Sequence, residues 1–384
     1  MGPDRPAVQG GGAEGVRGRI PGGAGCTGEH LEGAGDVEAL DVVEEDDENG
    51  SLRHASILRG GGGVRNDGEP TLPAIAADRR RPACSRRTDQ SVTFGSMTTS
   101  LPPRAGRRCH NVVNTVHSTL YFSPDLDREM GALGITDPAA ARLAARSAAL
   151  GAVGAGTVAA TFYNYNHELL ARHLPAVWET ASPAAVLDGR LRAVDATLRR
   201  LLGEETVASP EMGEAAELAL RAAEACTRHA RPLYSANADL PVPDAPHLAY
   251  WHAATLLREH RGDGHLTALL SLGLDPVEAV VSHTATGKAM SPRWFLSSRG
   301  WRRADWDAAA GRLRERGLLD AEGELTEAGT RLREELEEIT DRLDTAPYEH
   351  LGATGVERLA GLARDFAVSA AGAGAFPADL ISKG

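Results

Sequence analysis

Residues 313–336 read LRERGLLDAEGELTEAGTRLREEL, and the order of breaks in this stretch decides the fold. A helix over Asp305–Arg316 runs into it, with Trp306, Ala309, Ala310 and Leu313 on one apolar stripe. Leu318-Leu319 and Glu324-Leu325-Thr326 flank the turn residues Ala321-Glu322-Gly323. That pattern predicts two short strands joined by a tight turn. A long helix, Glu327–Leu343, closes the unit.

Working upstream, a helix is expected from His247 to His260, broken by Gly262-Asp263-Gly264. A short helix His265–Leu272 then meets the turn Gly273-Leu274. Asp275-Pro276 caps the next helix, to about Thr284. An irregular stretch over 287–303, rich in Ser and Arg, leads to the helix that begins at Asp305. Before residue 247 stands Leu240-Pro-Val-Pro-Asp-Ala-Pro246, whose three prolines in six residues forbid helix. A boundary belongs there. From Asp137 to that connector the pattern is almost continuously helical, with Asp137-Pro138, Ser182-Pro183 and Ser209-Pro210 as helix starts. Helices are expected over Ala139–Leu150, Gly154–Asn164, Glu168–Thr180, 182–202 and 209–229. Aromatics in Thr161–Asn166 read as core with an Asn C-cap, or as a ligand contact.

Motifs spread along the chain carry a resemblance. LRERGLLDAEGELTEAGTRLREEL resembles the end of a MarR-type winged-helix domain, in which a recognition helix, a two-stranded wing and a dimerisation helix follow one another. Over Val116–Phe376, the combination YFSP, ATFYNYN, WHAATLLREHRGDGH, RGW and RGLLDAEGELTEAG is similar to an actinobacterial family of helix-turn-helix proteins that has no assigned activity. The resemblance implies a mainly α, multi-helix protein whose C-terminal domain is a winged helix: a helix-turn-helix plus a short two-stranded wing. It also implies a transcription regulator that binds double-stranded DNA, with a pocket between its halves for a small-molecule effector. Leu150-Gly-Ala-Val-Gly-Ala-Gly-Thr faintly echoes Leu272-Gly-Leu-Asp-Pro-Val-Glu-Ala in its rhythm of short helix, Gly turn and helix. Each half would then hold a helix-turn-helix unit, so the protein is either a homodimer or an internally duplicated monomer.

Composition separates a first segment from the rest. Residues 1–96 hold 19 of 43 glycines and one aromatic, Phe94, whereas all five tryptophans lie beyond. Too few large apolar groups remain there to offset backbone ordering, about 1–2 kcal/mol per residue. The expected organisation is therefore a low-complexity tail, or an upstream mis-assigned start with Met97 as the first residue, over 1–96. A helical domain follows over 97–240 and a winged-helix domain with C-terminal helices over 241–384. Net charge is −12, of which −5 falls in 1–96. No run nears the roughly 20 apolar residues of a membrane helix, and residues 1–25 lack the apolar core of a signal peptide. The four cysteines show no CxxC spacing, as in a reducing compartment. A cytoplasmic protein without membrane partners is expected.

Two clusters carry the candidate chemistry. Arg299, Arg302, Arg303, Arg312, Arg314 and Arg316 fall within 18 residues, against Asp305, Asp307 and Glu315. Arg312 and Arg316 share one flank of the recognition helix. Arg299, Arg302, Arg303, Arg312 and Arg316 are the expected DNA contacts, to phosphates or guanine edges. The wing sequence Asp320-Ala-Glu-Gly-Glu324 opposes this, since Glu322 and Glu324 would repel phosphate.

The second cluster is a run of histidines, with His247, His252, His260, His265 and His283 inside 37 residues. A turn at Gly262–Gly264 would return His265 toward Glu259 or His260. His252, Glu259, His260, Asp263 and His265 then form an alternative site for a small molecule, a divalent metal or haem. That reading makes the protein a winged-helix scaffold that binds or transforms a small molecule without binding DNA. The structural alternative is that Arg258, Arg261 and Asp263 form ion pairs while the histidines bond to the backbone. No cofactor is specified by the motifs: GxSxG, Walker A and HExxH sequences are absent. Gly151–Gly156 follows no strand pattern, so it reads as helix packing rather than a dinucleotide loop.

Overall fold

A computed structural model describes residues 100–287, 289 and 291–377. The expectations for 1–96 and the alternative start at Met97 lie outside these residues.

Six of the fifteen α-helices among the described residues begin in the same way, with Ser or Asp followed by Pro. The side chain accepts a backbone N–H of the first turn, and Pro at the first helical position has no N–H to leave unsatisfied. This start opens α2 (Pro124–Ala132) and α3 (Pro138–Ser147), after α1 (Ala105–Ser118) and a 3-10 turn Thr119–Phe122. After a second 3-10 turn, Ala148–Leu150, come α4 (Ala155–Phe162), α5 (His167–His173) and the single turn α6 (Val177–Thr180). Ser-Pro starts return at α7 (Pro183–Val207) and α8 (Pro210–Ala223).

The short α9 (Pro232–Asn237) precedes α10 (Pro246–Ser271). Then follow α11 (Pro276–Thr284), α12 (Pro292–Arg299), α13 (Arg303–Glu315), α14 (Glu327–Leu343) and α15 (Thr345–Gly372). The fold is mainly α, as expected. The helix expected over 168–180 is divided, because Pro175 supplies no N–H to continue α5. Asn166 is an N-cap rather than a C-cap: its Oδ1 accepts the N–H of Glu168 at 2.8 Å.

Two expectations are corrected. Residues 318–326 form no pair of strands. One antiparallel bridge, Leu319 to Leu325, is the sole β pairing among the described residues. The loop closes through Asp320 N–H to Glu324 O (3.0 Å) and Thr326 N–H to Leu318 O (3.1 Å). With so few residues between α13 and α14 there is no room for a ladder.

The second correction concerns Gly262-Asp263-Gly264, which does not break α10. Each Gly costs about 1 kcal/mol relative to Ala in a helix interior, and packing overrides that cost here. A Cβ on Gly264 would meet Arg231 Nη1 at 2.7 Å. Asp263 accepts the N–H groups of Leu233 (3.1 Å) and Tyr234 (2.9 Å), so its carboxylate satisfies the start of α9.

The described chain has two apolar cores. One is built from α1 to α9, the first half of α10 and α15, around residues such as Leu126, Met212, Tyr250 and Leu359. The other gathers Ala268 and Leu269 at the end of α10 with Val277, Phe295, Trp306, Leu313 and Leu336. The cores therefore part within α10, not at the expected 240/241 division, and α15 returns to the first core.

Between α12 and α13 lies a three-residue turn, Gly300-Trp301-Arg302. Gly300 has φ 75°, and its α-carbon stands where a Cβ would be 2.6 Å from Leu169 Cβ. Trp301 Nε1 donates to Asn164 O at 2.7 Å, and Asn166 N–H donates to Arg299 O at 2.9 Å. The aromatic stretch 162–166 thus braces this turn.

Candidate functional site

The buried face of α13 carries Trp306, Ala309, Ala310 and Leu313, as its stripe dictated. Its opposite face leaves Arg303, Ala304, Asp307 and Ala308 exposed. Arg302 and Arg303, at the N-terminal end, have side chains 83% and 71% exposed. They touch Asp305 at 3.3 Å and Asp307 at 2.9 Å, pairs of a kind worth less than about 1 kcal/mol at a surface.

The other expected DNA contacts are placed differently. Arg299 is 1% exposed, with its guanidinium 4.4 Å from the centre of the Tyr165 ring, so it belongs to the interior. Arg312 Nε donates to Glu278 Oε1 at 2.9 Å, and its Nη2 pairs with Asp275. Arg316 Nη1 donates to Glu278 Oε2 and to Gly273 O, both at 3.0 Å. These two arginines clamp α13 onto the start of α11. Arg314 Nε donates to Asp320 O at 2.9 Å and so fixes the hairpin. Glu322 and Glu324 are exposed on that hairpin.

The five residues of the alternative site all lie on one unbroken helix and diverge from it. His252 is buried, and that burial, with Arg190 nearby, lowers its pKa to about 4. Glu259 meets Arg146 at 3.2 Å and also pairs with Arg258. His260 Nδ1 lies 2.6 Å from Asp344 Oδ1, where α14 passes into α15. Asp263 caps α9, and its burial raises its pKa to about 7. His265 Nδ1 lies 2.9 Å from Thr340 Oγ1 of α14. Among the described residues no three His, Cys, Asp or Glu side chains are grouped so as to hold a metal ion. The expected return of His265 toward Glu259 required a turn that the helix does not make.

What the fold does create is a cavity of about 580 Å³, lined from both cores. His110, Asn111 and Asn114 of α1, Arg146 of α3, and Arg258, Glu259 and His265 of α10 form one side. His283 at the end of α11, Thr286 just beyond it, Glu324 and Leu325 of the hairpin, and Arg333 and Glu337 of α14 form the other. His110 is buried, and desolvation followed by the charges of Arg261 and Arg258 holds its pKa well below the usual histidine value. Its neighbour on α1, His117, is likewise held neutral by burial first and then by Arg258.

Of the five residues of the alternative site, only Glu259 and His265 line this cavity, joined by His283 from the same histidine run. Sequence reasoning missed His110, Asn114 and Arg146. No local signal marks them, because the partner of Arg146 lies 113 residues away.

This architecture is that of a helix-turn-helix protein: a short helix, a three-residue turn and a second helix with a free outer face, mounted on a helical body. The chain belongs to the helix-turn-helix family, whose model matches residues 106–377. No curated protein and no solved structure matches it. Among the described residues no single helix is long and apolar enough to cross a membrane.

Proposed function

We propose that this protein is a DNA-binding transcription regulator, built as a reduced MarR-like winged helix, whose cavity receives a small effector. The observation that carries this reading is the uncovered outer face of α13, with Arg302 and Arg303 at its leading end. Such a helix enters a major groove by its N-terminal residues. Arg302 and Arg303 are the proposed contacts, because their surface partners exchange readily for phosphate oxygens. Arg312 and Arg316 act in this reading as structural residues, and Arg299 as an interior one. The cavity fits an effector site because its walls include the hairpin and the end of α11, so an occupant would touch the body and the reading unit together.

The test is a gel-shift series with DNA from the protein's own promoter at increasing salt. Arg302→Ala with Arg303→Ala should weaken binding and reduce the salt slope by roughly two, about one per phosphate contact. An unchanged slope would overturn the assignment of these residues. If no salt-sensitive complex forms at all, the second reading stands, that of a scaffold which binds a small molecule without DNA. The acidic hairpin and the commitment of Arg312 and Arg316 to Glu278 favour that reading.

A further inference from the structure

A chain of side-chain contacts leads from the cavity wall to the turn before α13. Arg146, which lines the cavity, holds its guanidinium carbon 4.2 Å from the centre of the Phe162 ring. The Phe162 and Tyr165 rings meet edge to face, with centres 5.4 Å apart. The Tyr165 ring in turn lies 4.4 Å from the guanidinium carbon of Arg299, the last residue of α12. Stacked cations and edge-to-face rings have preferred geometries, and a close-packed interior transmits strain, so a displacement at one end is passed along.

The same short segment grips the helix-turn-helix unit at two points. Ahead of α11, the Tyr163 hydroxyl donates to Leu274 O. Ahead of α13, Trp301 Nε1 donates to Asn164 O and Asn166 N–H donates to Arg299 O. Tyr163 is the strained link between these holds. It has φ 53° and ψ −64°, and Asn164 N–H returns to Phe162 O at 2.6 Å. This is the γ-turn of positive φ, rare and strained for a residue with a side chain. Its reversal has a packing reason. Phe162 and Tyr165 are buried in the first core, whereas Tyr163 between them packs against the second. Strain of this kind persists only where the surroundings over-determine it, so removing a holding contact lets it relax.

We propose that residues 162–166 are a strap through which the cavity sets the position of the turn before α13. An occupant that draws Arg146 off the Phe162 ring lets the turn at Tyr163 relax. The hold on Arg299 and Trp301 then loosens, and DNA binding weakens. A ligand shifts such an equilibrium only by contacting the two states differently. Arg146 supplies that difference, because it stands in the cavity wall and on the ring at once. The strap is the regulation of the proposed DNA-binding unit and rests on that reading, but its test needs neither DNA nor the occupant.

The reporter is the indole N–H of Trp301 in the full chain, followed by NMR and assigned with Trp301→Phe. Phe162→Leu keeps an apolar side chain but removes both ring contacts. It should shift the Trp301 indole resonance and speed its hydrogen exchange by roughly three- to tenfold. Arg146→Lys keeps a cation beside Glu259 but gives up the flat contact with the ring. It should move the resonance in the same direction, and it carries the same test where Phe162→Leu does not fold. Together the two should do no more than Phe162→Leu alone, because that change has already cut the route. Val186→Ala, which opens a void on α7 in the first core, should leave Trp301 where it is.

An unmoved Trp301 in either folded variant would overturn the strap. So would an equal response to Val186→Ala, which would mean general loosening of the core, or additive shifts in the double variant. If Trp301 responds as expected but the parent protein forms no DNA complex, the strap stands and the regulator reading fails.

Discussion

At the scale of single residues, burial decides what each titratable group contributes. His110, His117 and His252 all have folded pKa values below the ordinary 6.5. A lowered histidine stabilises the fold above the unfolded pKa, and that stability is lost as pH falls, because only the unfolded chain takes the proton. Asp263 runs the other way. Its pKa is raised to about 7, so its contribution is present below the unfolded carboxylate value and fades as pH rises through about 7. Three groups oppose one, so the urea midpoint should fall as pH drops from 6.5 toward 5. The slope should be of order one to two protons, or roughly 1.4–2.8 kcal/mol per unit. A flat profile would mean that these histidines are solvated. Asp263→Asn removes the opposing group, so its stability relative to the parent should rise between pH 4 and pH 8. The histidine cluster was legible in the sequence, but its dispersal was not. Whether two histidines converge depends on helix continuity at Gly262–Gly264, and Arg231 and the start of α9 settle that from a distance.

At the scale of elements, the helix-turn-helix unit is held by contacts of two kinds. Arg312 and Arg316 tie α13 to Asp275 and Glu278 of α11. Removing both leaves the buried Glu278 without its cations, so Arg312→Ala with Arg316→Ala should destabilise by about 1–3 kcal/mol, after discounting for the exposed arginines. On the proposed function the salt slope of DNA binding should change little, as a gel shift at several salt concentrations would show. A slope reduced by two would place these arginines on phosphate instead.

The turn before α13 depends on Gly300. Gly300→Ala meets both a left-handed φ of 75° and the side chain of Leu169, and should cost about 1–3 kcal/mol by chemical denaturation. A neutral effect would show that the brace from residues 162–166 yields easily. The starts of α3, α7, α8 and α11 were readable because a cap and a proline act over three or four residues. The hairpin was overread, since strand propensity cannot show that one bridge is all the connection has room for.

At the scale of the whole molecule, some backbone features recur at matching places in the two halves of the described chain. Gly151 and Gly273 both have positive φ, 84° and 64°, ahead of α4 and α11. Gly203 (φ 83°, ψ 157°) and Gly352 (φ 77°, ψ 160°) both kink a long helix. Helix α1 lies along α15, α10 lies along α8, and α8 meets α15. The order α4–α5–α6–α7 parallels α11–α12–α13–α14, but α6 is a single turn where α13 runs for 13 residues. We therefore expect a monomer of 40.4 kDa by light scattering, with a footprint of one half-site. A dimer protecting two half-sites a helical turn apart would refute this.

The sequence by itself determined the helical class, the starts of most helices, the buried stripe of α13 and the clustering of arginine at its ends. Periodicity and capping are local, so they survive without tertiary information. Only the tertiary structure decided which arginines are free. Arg299 is withdrawn beneath Tyr165, Arg312 and Arg316 are committed to carboxylates more than thirty residues away, and Arg302 and Arg303 remain in solvent. The structure also decided that Arg146 and Arg258 would meet on one glutamate beside His110. Charge compensation acts through space, and the chain order carries no record of which charges the packing brings together.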